Sequence, residues 1–183
     1  MHKDIKEILY AESEIKARVA EIGNALTDKY SALADNGESV VLVSILRGAA
    51  IFMADLARAT EIPLEMDYMA VSSYGKGVKS SGVVKIIKDL TESIEGKHVI
   101  IAEDILDSGL TLKFLIETLE QRNPASIEIV TLLRKRTRAQ ADIKCAHIGF
   151  ECPDEFIVGY GLDYAERYRN LPYIGILKPE VYE

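Results

Sequence analysis

One stretch constrains this chain more than any other: Val99-Ile100-Ile101-Ala102-Glu103-Asp104-Ile105-Leu106-Asp107-Ser108-Gly109-Leu110-Thr111. It opens on four apolar residues, two Ile and one Val among them, the composition of a strand covered on both faces. Asp107, Ser108 and Gly109 then make a short turn, and a helix begins near Leu110. Such a turn leaves backbone N–H groups unpaired at a helix N-terminus. With the Ser108 and Thr111 hydroxyls beside them, they form a ready anion site. Glu103 and Asp104 stand between strand and turn, where two carboxylates should repel an anion. They make sense beside a ligand that also carries sugar hydroxyls, a bound Mg²⁺ or a carbocation-like centre. A sugar phosphate with a metal meets all of these demands at once.

A second strand–turn–helix lies upstream. Ser39 to Ile45 is another continuous apolar run, Leu46-Arg47-Gly48-Ala49 is a turn with a glycine and a cation, and a helix is predicted from Ala50 to about Thr60. Two such turns at the C-terminal ends of parallel strands imply two phosphate sites facing one crevice. Around them, the spacing of Ile15, Val19, Ile22 and Leu26 predicts a helix over Ser13 to Tyr30. Leu64 to Val71 alternates, with Leu64, Met66, Tyr68 and Ala70 on its apolar face. A helix follows over Leu110 to Gln121, then a core strand over Ser126 to Leu133. Short strands are predicted at Ile8–Tyr10, Ala146–Phe150, Phe156–Val158 and Tyr173–Leu177. This alternation gives an α/β fold, a mostly parallel twisted sheet flanked by helices.

Ser72 to Gly82 holds three glycines, four serines and two lysines, too little apolar surface for a core, so a mobile loop is expected there. Its Gly75-Lys76-Gly77 begins a dinucleotide-binding pattern, but Ser80 takes the last glycine position and no helix follows. No phosphate-binding G-x-x-x-x-G-K-[ST] loop occurs anywhere in the chain. The basic run Arg134-Lys135-Arg136-Thr137-Arg138 falls at the C-terminal end of a strand, on the same edge as both phosphate turns.

At 183 residues the chain is read as one domain, and its net charge of −7 argues against a nucleic-acid partner. No run approaches the length of a membrane span. The start, Met1 to Glu7, has no signal-like apolar core, so a cytoplasmic address is expected, with Cys145 and Cys152 as free thiols. Cys145, His147 and Cys152 lack a fourth ligand and zinc-finger spacing, which argues against zinc.

The stretch V-I-I-A-E-D-I-L-D-S-G-L-T-L resembles the phosphoribosyl pyrophosphate (PRPP) signature of the type I phosphoribosyltransferases. Further matches along the chain narrow the resemblance to the hypoxanthine/guanine phosphoribosyltransferases of bacterial length. The resemblance implies transfer of a 5-phosphoribosyl group from PRPP to a 6-oxopurine, with Mg²⁺ as cofactor. It implies that Arg47 and Gly48 belong to a pyrophosphate loop, whose Leu46–Arg47 bond can be cis in the family. Glu103 and Asp104 would hold the ribose hydroxyls, directly or through metal. Asp107 would be the general base, and Ser108, Gly109, Leu110 and Thr111 would bind the 5′-phosphate. Ser73 and Tyr74 would belong to a lid. Lys135, on the family's L-L-x-K-R-T lysine, would meet the purine 6-oxo group. Phe156 would stack on the base and Ile157 offer it backbone groups. Asp163 would hold a second Mg²⁺ through water, making Glu103, Asp104 and Asp163 the metal residues, and Arg169 would meet pyrophosphate. A hood from about residues 1–12 and 150–183 and a homodimer or homotetramer complete the expectation. Leu110 departs from the basic or polar residue of many relatives, and Arg47 and Ala49 from L-K-G-G or L-K-G-S. The alternatives are a xanthine-preferring enzyme and a PRPP-sensing regulator on the same fold; the latter would be expected to lack Lys135, Phe156 and Asp163 or to carry a basic face.

Overall fold

A computed structural model of the chain describes residues 1–73, 84–135, 137 and 140–182. In chain order the elements are β1 (Ile5–Tyr10), α1 (Glu12–Asp35), β2 (Val40–Leu46), α2 (Ala50–Ala59), β3 (Glu65–Ser73), β4 (Val84–Lys88) and β5 (His98–Leu106). They continue with α3 (Leu110–Glu120), β6 (Ser126–Arg134), β7 (His147–Glu151), β8 (Ile157–Val158), β9 (Ile174–Leu177) and α4 (Pro179–Tyr182).

The two continuous apolar runs are strands whose successive side chains enter different cores. In β2, Val40 and Leu42 face α1 and α2, whereas Val41, Val43 and Ile45 face α3. In β5, Ile100 and Ala102 take the first side and Val99 and Ile101 the second. Period-two geometry on a sheet covered by helices on both faces requires this pattern. The six-stranded sheet runs in the order β4-β3-β2-β5-β6-β7. All neighbours are parallel except β4, which pairs antiparallel with β3 at one edge. Chain progression moves outward from β2 to β3, then returns to place β5 on the other side of β2. The switch point therefore lies between the C-terminal ends of β2 and β5, where a crevice opens.

A second sheet, in the order β1-β9-β8, is antiparallel and joins the two ends of the chain. It has its own small core of Ile5, Val158, Tyr168 and Leu177. No helix among the described residues is long and apolar enough to cross a membrane.

Several boundaries differ from the sequence-based expectation. Helix α1 outruns Ser13–Tyr30 at its C-terminal end, where Ala32, Leu33 and Ala34 are good helix formers. It stops where Asn36 N–H returns to Ala32 O at 3.2 Å and Gly37 takes φ +83°. Strand β1 begins three residues earlier than Ile8, because pairing with β9 supports it from Ile5 onward. In β3, Met69 is fully buried while Met66 is 45% exposed, reversing the predicted apolar face there. The strand lies between β2 and β4, so Tyr68 packs toward one core and Met69 toward the other. Helix α4 was not expected, although Pro179 at its first position is a favoured start. The loop expectation for Ser72–Gly82 falls, from Tyr74 onward, outside the described residues.

Candidate active site

Strand β5 continues through Leu106, so Glu103 and Asp104 lie within the strand rather than between strand and turn, and they point to opposite faces. Glu103, Ile105 and Asp107 line a cavity of about 110 Å³ with Ser108, Gly109 and Thr111. This is the pocket of the expected phosphate turn, at the start of α3. Gly109 precedes the helix with φ +78°, a backbone conformation that favours glycine, and its carbonyl accepts the Lys113 N–H at 2.9 Å. Ser108 O accepts from both Gln140 N and Ala141 N at 3.0 Å, which pins the turn from outside. Leu110 is 44% exposed and is not among the residues lining the pocket. The departure at this position thus leaves the pocket wall unchanged.

Asp104 faces the turn after β2. Its Oδ1 accepts the Ile105 N–H at 2.9 Å, and its other oxygen occupies the space where a Cβ on Gly48 would have to stand. Gly161, at φ +102°, presses in the same way against the Gly48 carbonyl. Two glycines therefore let three distant segments meet: the turn after β2, the end of β5, and the small sheet's connecting loop. The Leu46–Arg47 peptide bond is cis.

Burial is the dominant influence on the acidic pair. It holds the Glu103 carboxyl well above the usual carboxylate range, with Asp104 adding repulsion, and pushes Asp104 up to about 6. Glu103 Oε2 is buried without a hydrogen-bond partner among the described residues. A desolvated carboxylate in this state is stabilised by a cation or by hydroxyl donors. This donor set fits an ion that arrives with a phosphorylated sugar, since Mg²⁺ keeps waters and phosphates and takes only one or two protein carboxylates. Glu103 and Asp104 were expected beside one ion, and Asp163 beside a second one through water. Among the described residues no three His, Cys, Asp or Glu side chains make a group that could hold a metal. Asp163 is engaged elsewhere, with Oδ1 at 2.8 Å from Arg169 Nη2 and Oδ2 accepting Glu166 N–H at 2.9 Å.

The shift of Asp104 has a definite consequence for stability. Its carboxyl ionises near 6 in the folded chain against an ordinary 3.8, so the folded state retains the proton that the unfolded state has lost. The contribution is fully favourable below about pH 4 and is lost as pH rises through about 6. Asp104→Asn is therefore expected to stabilise the free protein by about 1–2 kcal/mol at pH 7.5, with the gain vanishing near pH 4. Denaturant melts at the two pH values check this; an equal gain at both would trace the effect to packing instead.

Beside the phosphate turn lies a larger cavity of about 380 Å³, bounded by Ile105, Asp107, Lys135, Phe156, Ile157 and Asp163, with Tyr182 at its wall. Lys135 is buried, its backbone N–H bonded to Leu106 O at 2.9 Å. Its Nζ donates to Glu155 O at 2.9 Å and lies 3.7 Å from Asp154 Oδ1. Phe156 presents 37% of its surface. Tyr164 meets it edge-on at 5.2 Å and Tyr182 stacks on it at 5.0 Å. Ile105 and Asp107 line both cavities, which are thus neighbouring compartments.

On the third side, Arg169 donates to Gly161 O at 2.7 Å, and Arg47 Nη2 lies 3.0 Å from Glu166 Oε1. The structure so brings together Arg47, Gly48, Glu103, Asp104, Asp107, the phosphate turn, Lys135, Phe156, Ile157, Asp163 and Arg169. Ser73 ends β3 opposite Val84, and Tyr74 lies outside the described residues. Among the lining residues not singled out from the sequence are Ile105 and Tyr182. Ile105 stood out only as a member of the Val99–Thr111 stretch, and nothing local marks Tyr182.

The Phosphoribosyl transferase domain family matches residues 11–165. Over 183 residues the chain is 54% identical to the hypoxanthine-guanine phosphoribosyltransferase of Bacillus subtilis (strain 168), spanning 100% of this chain and 99% of that protein. It is 50% identical over 182 residues to the bifunctional protein TilS/HprT of Listeria monocytogenes serotype 4b (strain F2365), spanning 100% of this chain but only 27% of that longer relative. The crystal structure of a hypoxanthine phosphoribosyltransferase from Staphylococcus aureus superposes with a TM-score of 0.93 at 52% identity, covering 100% of this chain and 97% of that one.

Proposed function

The chain belongs to the phosphoribosyl transferase domain family, and from that premise we propose that it transfers the 5-phosphoribosyl group of PRPP to N9 of hypoxanthine or guanine. Pyrophosphate leaves, and the product is IMP or GMP. One observation carries this reading: Ile105 and Asp107 line both the phosphate-turn pocket and the larger aromatic-walled cavity. A ligand with a phosphate in one compartment and a flat ring in the other must hold its sugar at Asp107. That is the shape of a nucleoside monophosphate.

The division of labour follows. Backbone N–H groups from Ser108 to Thr111 bind the 5′-phosphate at the start of α3. Glu103 and Asp104 hold the ribose hydroxyls, and Arg47, Gly48 and Arg169 form the pyrophosphate side. Lys135 donates to the purine 6-oxo group, Phe156 and Ile105 sandwich the ring, and Ile157 offers backbone groups to its edge. As the bond from N9 to the anomeric carbon forms, the ring sheds a proton, and Asp107 accepts it at N7. Mg²⁺ held by Glu103 and Asp104 together with the ligand's oxygens would offset charge on the departing pyrophosphate. Asp163, engaged by Arg169, would reach a second ion only through water. We place Ser73 and Tyr74 in a lid that keeps water from the cationic sugar. We read the whole as one domain with the small sheet as its hood, in a cytoplasmic homodimer or homotetramer.

Turnover with PRPP and a panel of hypoxanthine, guanine, xanthine and adenine tests the proposal. Nucleotide and pyrophosphate should form with hypoxanthine or guanine; consumption of neither overturns it, and a clear preference for xanthine moves the acceptor. Excess chelator should abolish turnover and Mg²⁺ restore it, because Glu103 and Asp104 face a polyanion that repels them. Full activity in chelator would remove metal from the reaction.

A further inference from the structure

The carboxylate of Glu166 sits between the two guanidiniums that the proposed function assigns to pyrophosphate. Its Oε1 is 3.0 Å from Arg47 Nη2 and its Oε2 is 3.6 Å from Arg169 Nη2. The first arginine comes from the turn after β2 and the second from the small sheet's loop, so this one side chain ties the two sides together. Its backbone is held in place as well, since Glu166 N–H donates to Asp163 Oδ2 while Asp163 Oδ1 pairs with Arg169. No part of the transfer chemistry needs a carboxylate here. A negative group in a polyanion site should weaken binding unless it has another role.

We propose that Glu166 is a positioning residue: an internal counter-anion that occupies Arg47 and Arg169 in the free protein, yields them to pyrophosphate, and returns as pyrophosphate leaves. The inference rests on the function proposed above. Two opposing effects are in play. Glu166 pre-orients the arginines, which favours binding, and it competes with the incoming anion, which opposes it. The Arg47 pair is exposed, 68% on the arginine and 58% on the glutamate, so its hold is weak and its preorganising value small. Repulsion between its charge and several phosphate oxygens at the same guanidiniums is larger. Competition therefore dominates, and the carboxylate shortens the residence of pyrophosphate.

The test is binding of inorganic pyrophosphate in magnesium buffer, read by calorimetry and by stopped-flow dissociation. Glu166→Gln removes the charge at equal size. Glu166→Gly removes the side chain at a position whose φ is +64°, a conformation glycine favours, so folding is not at risk. Both variants should bind pyrophosphate about fivefold more tightly, mainly through slower dissociation, with the gain shrinking as salt is raised. KM for hypoxanthine should not move, which separates this role from a general structural one. Equal or weaker pyrophosphate binding in both variants overturns the counter-anion role and leaves the proposed function standing. Absence of pyrophosphate binding by the unmodified protein would sink that function, and this inference with it.

Discussion

Asp107→Asn should lower turnover about 10²–10⁴-fold while PRPP affinity stays within a few-fold of the unmodified protein. Asp107 is shared by the two compartments, at the point where a sugar would join base to phosphate. Asparagine matches its size and retains one carbonyl oxygen, so the turn before α3 keeps its shape. What it loses is the ability to take a proton at neutral pH. A base that acts only as the new bond forms contributes to the transition state and not to ground-state binding, so kcat falls while binding is spared. Single-turnover rates with hypoxanthine, beside PRPP titrations, separate the two. Near-normal turnover would reduce Asp107 to a loop-shaping residue, and a matched loss of PRPP affinity would place it in binding.

Adenine should be a very poor substrate, disfavoured by around 10⁴-fold or more against hypoxanthine. In the proposed reaction the residue responsible is Lys135, buried at the wall of the larger cavity, with one N–H already given to Glu155 O at 2.9 Å. An ammonium is a donor with no acceptor capacity. The carbonyl at ring position 6 of hypoxanthine or guanine accepts from it, whereas adenine turns an amino group toward it. Donor then faces donor where water has been displaced, and the unpaired group carries its full desolvation cost. Lys135→Ala should impair use of 6-oxopurines and narrow the gap to adenine; kcat/KM for both bases in both proteins measures this. Efficient adenine turnover by the unmodified chain would show that Lys135 does not read the base.

What was legible in the residues alone followed from local rules. Val40–Ile45 and Val99–Ala102 are apolar without alternation, and only a strand covered on both faces tolerates that, so an α/β sheet was readable before any coordinates. Asp107-Ser108-Gly109 ahead of Leu110 announced a helix N-terminus with an anion site, because turn chemistry and capping depend on a few adjacent residues. The roles of Lys135, Phe156 and Arg169 were suggested only through resemblance to a family, since a lysine in a charge run or an aromatic in a strand carries little meaning by itself.

Other features were decided by contacts between residues far apart in the chain. The order that sets β5 beside β2 brings the Asp104 carboxylate against Gly48, and Gly161 closes on the same glycine. Neither approach leaves a trace in spacing, because each depends on how separate elements dock. The same holds for Asp163, whose partner turned out to be Arg169, and for Tyr182, which reaches Phe156 only because α4 folds back over the cavity. Periodicity and turn residues act over one or two turns of chain. Which side chains meet across a crevice depends on strand order and register, and those are chosen by the burial of both cores together.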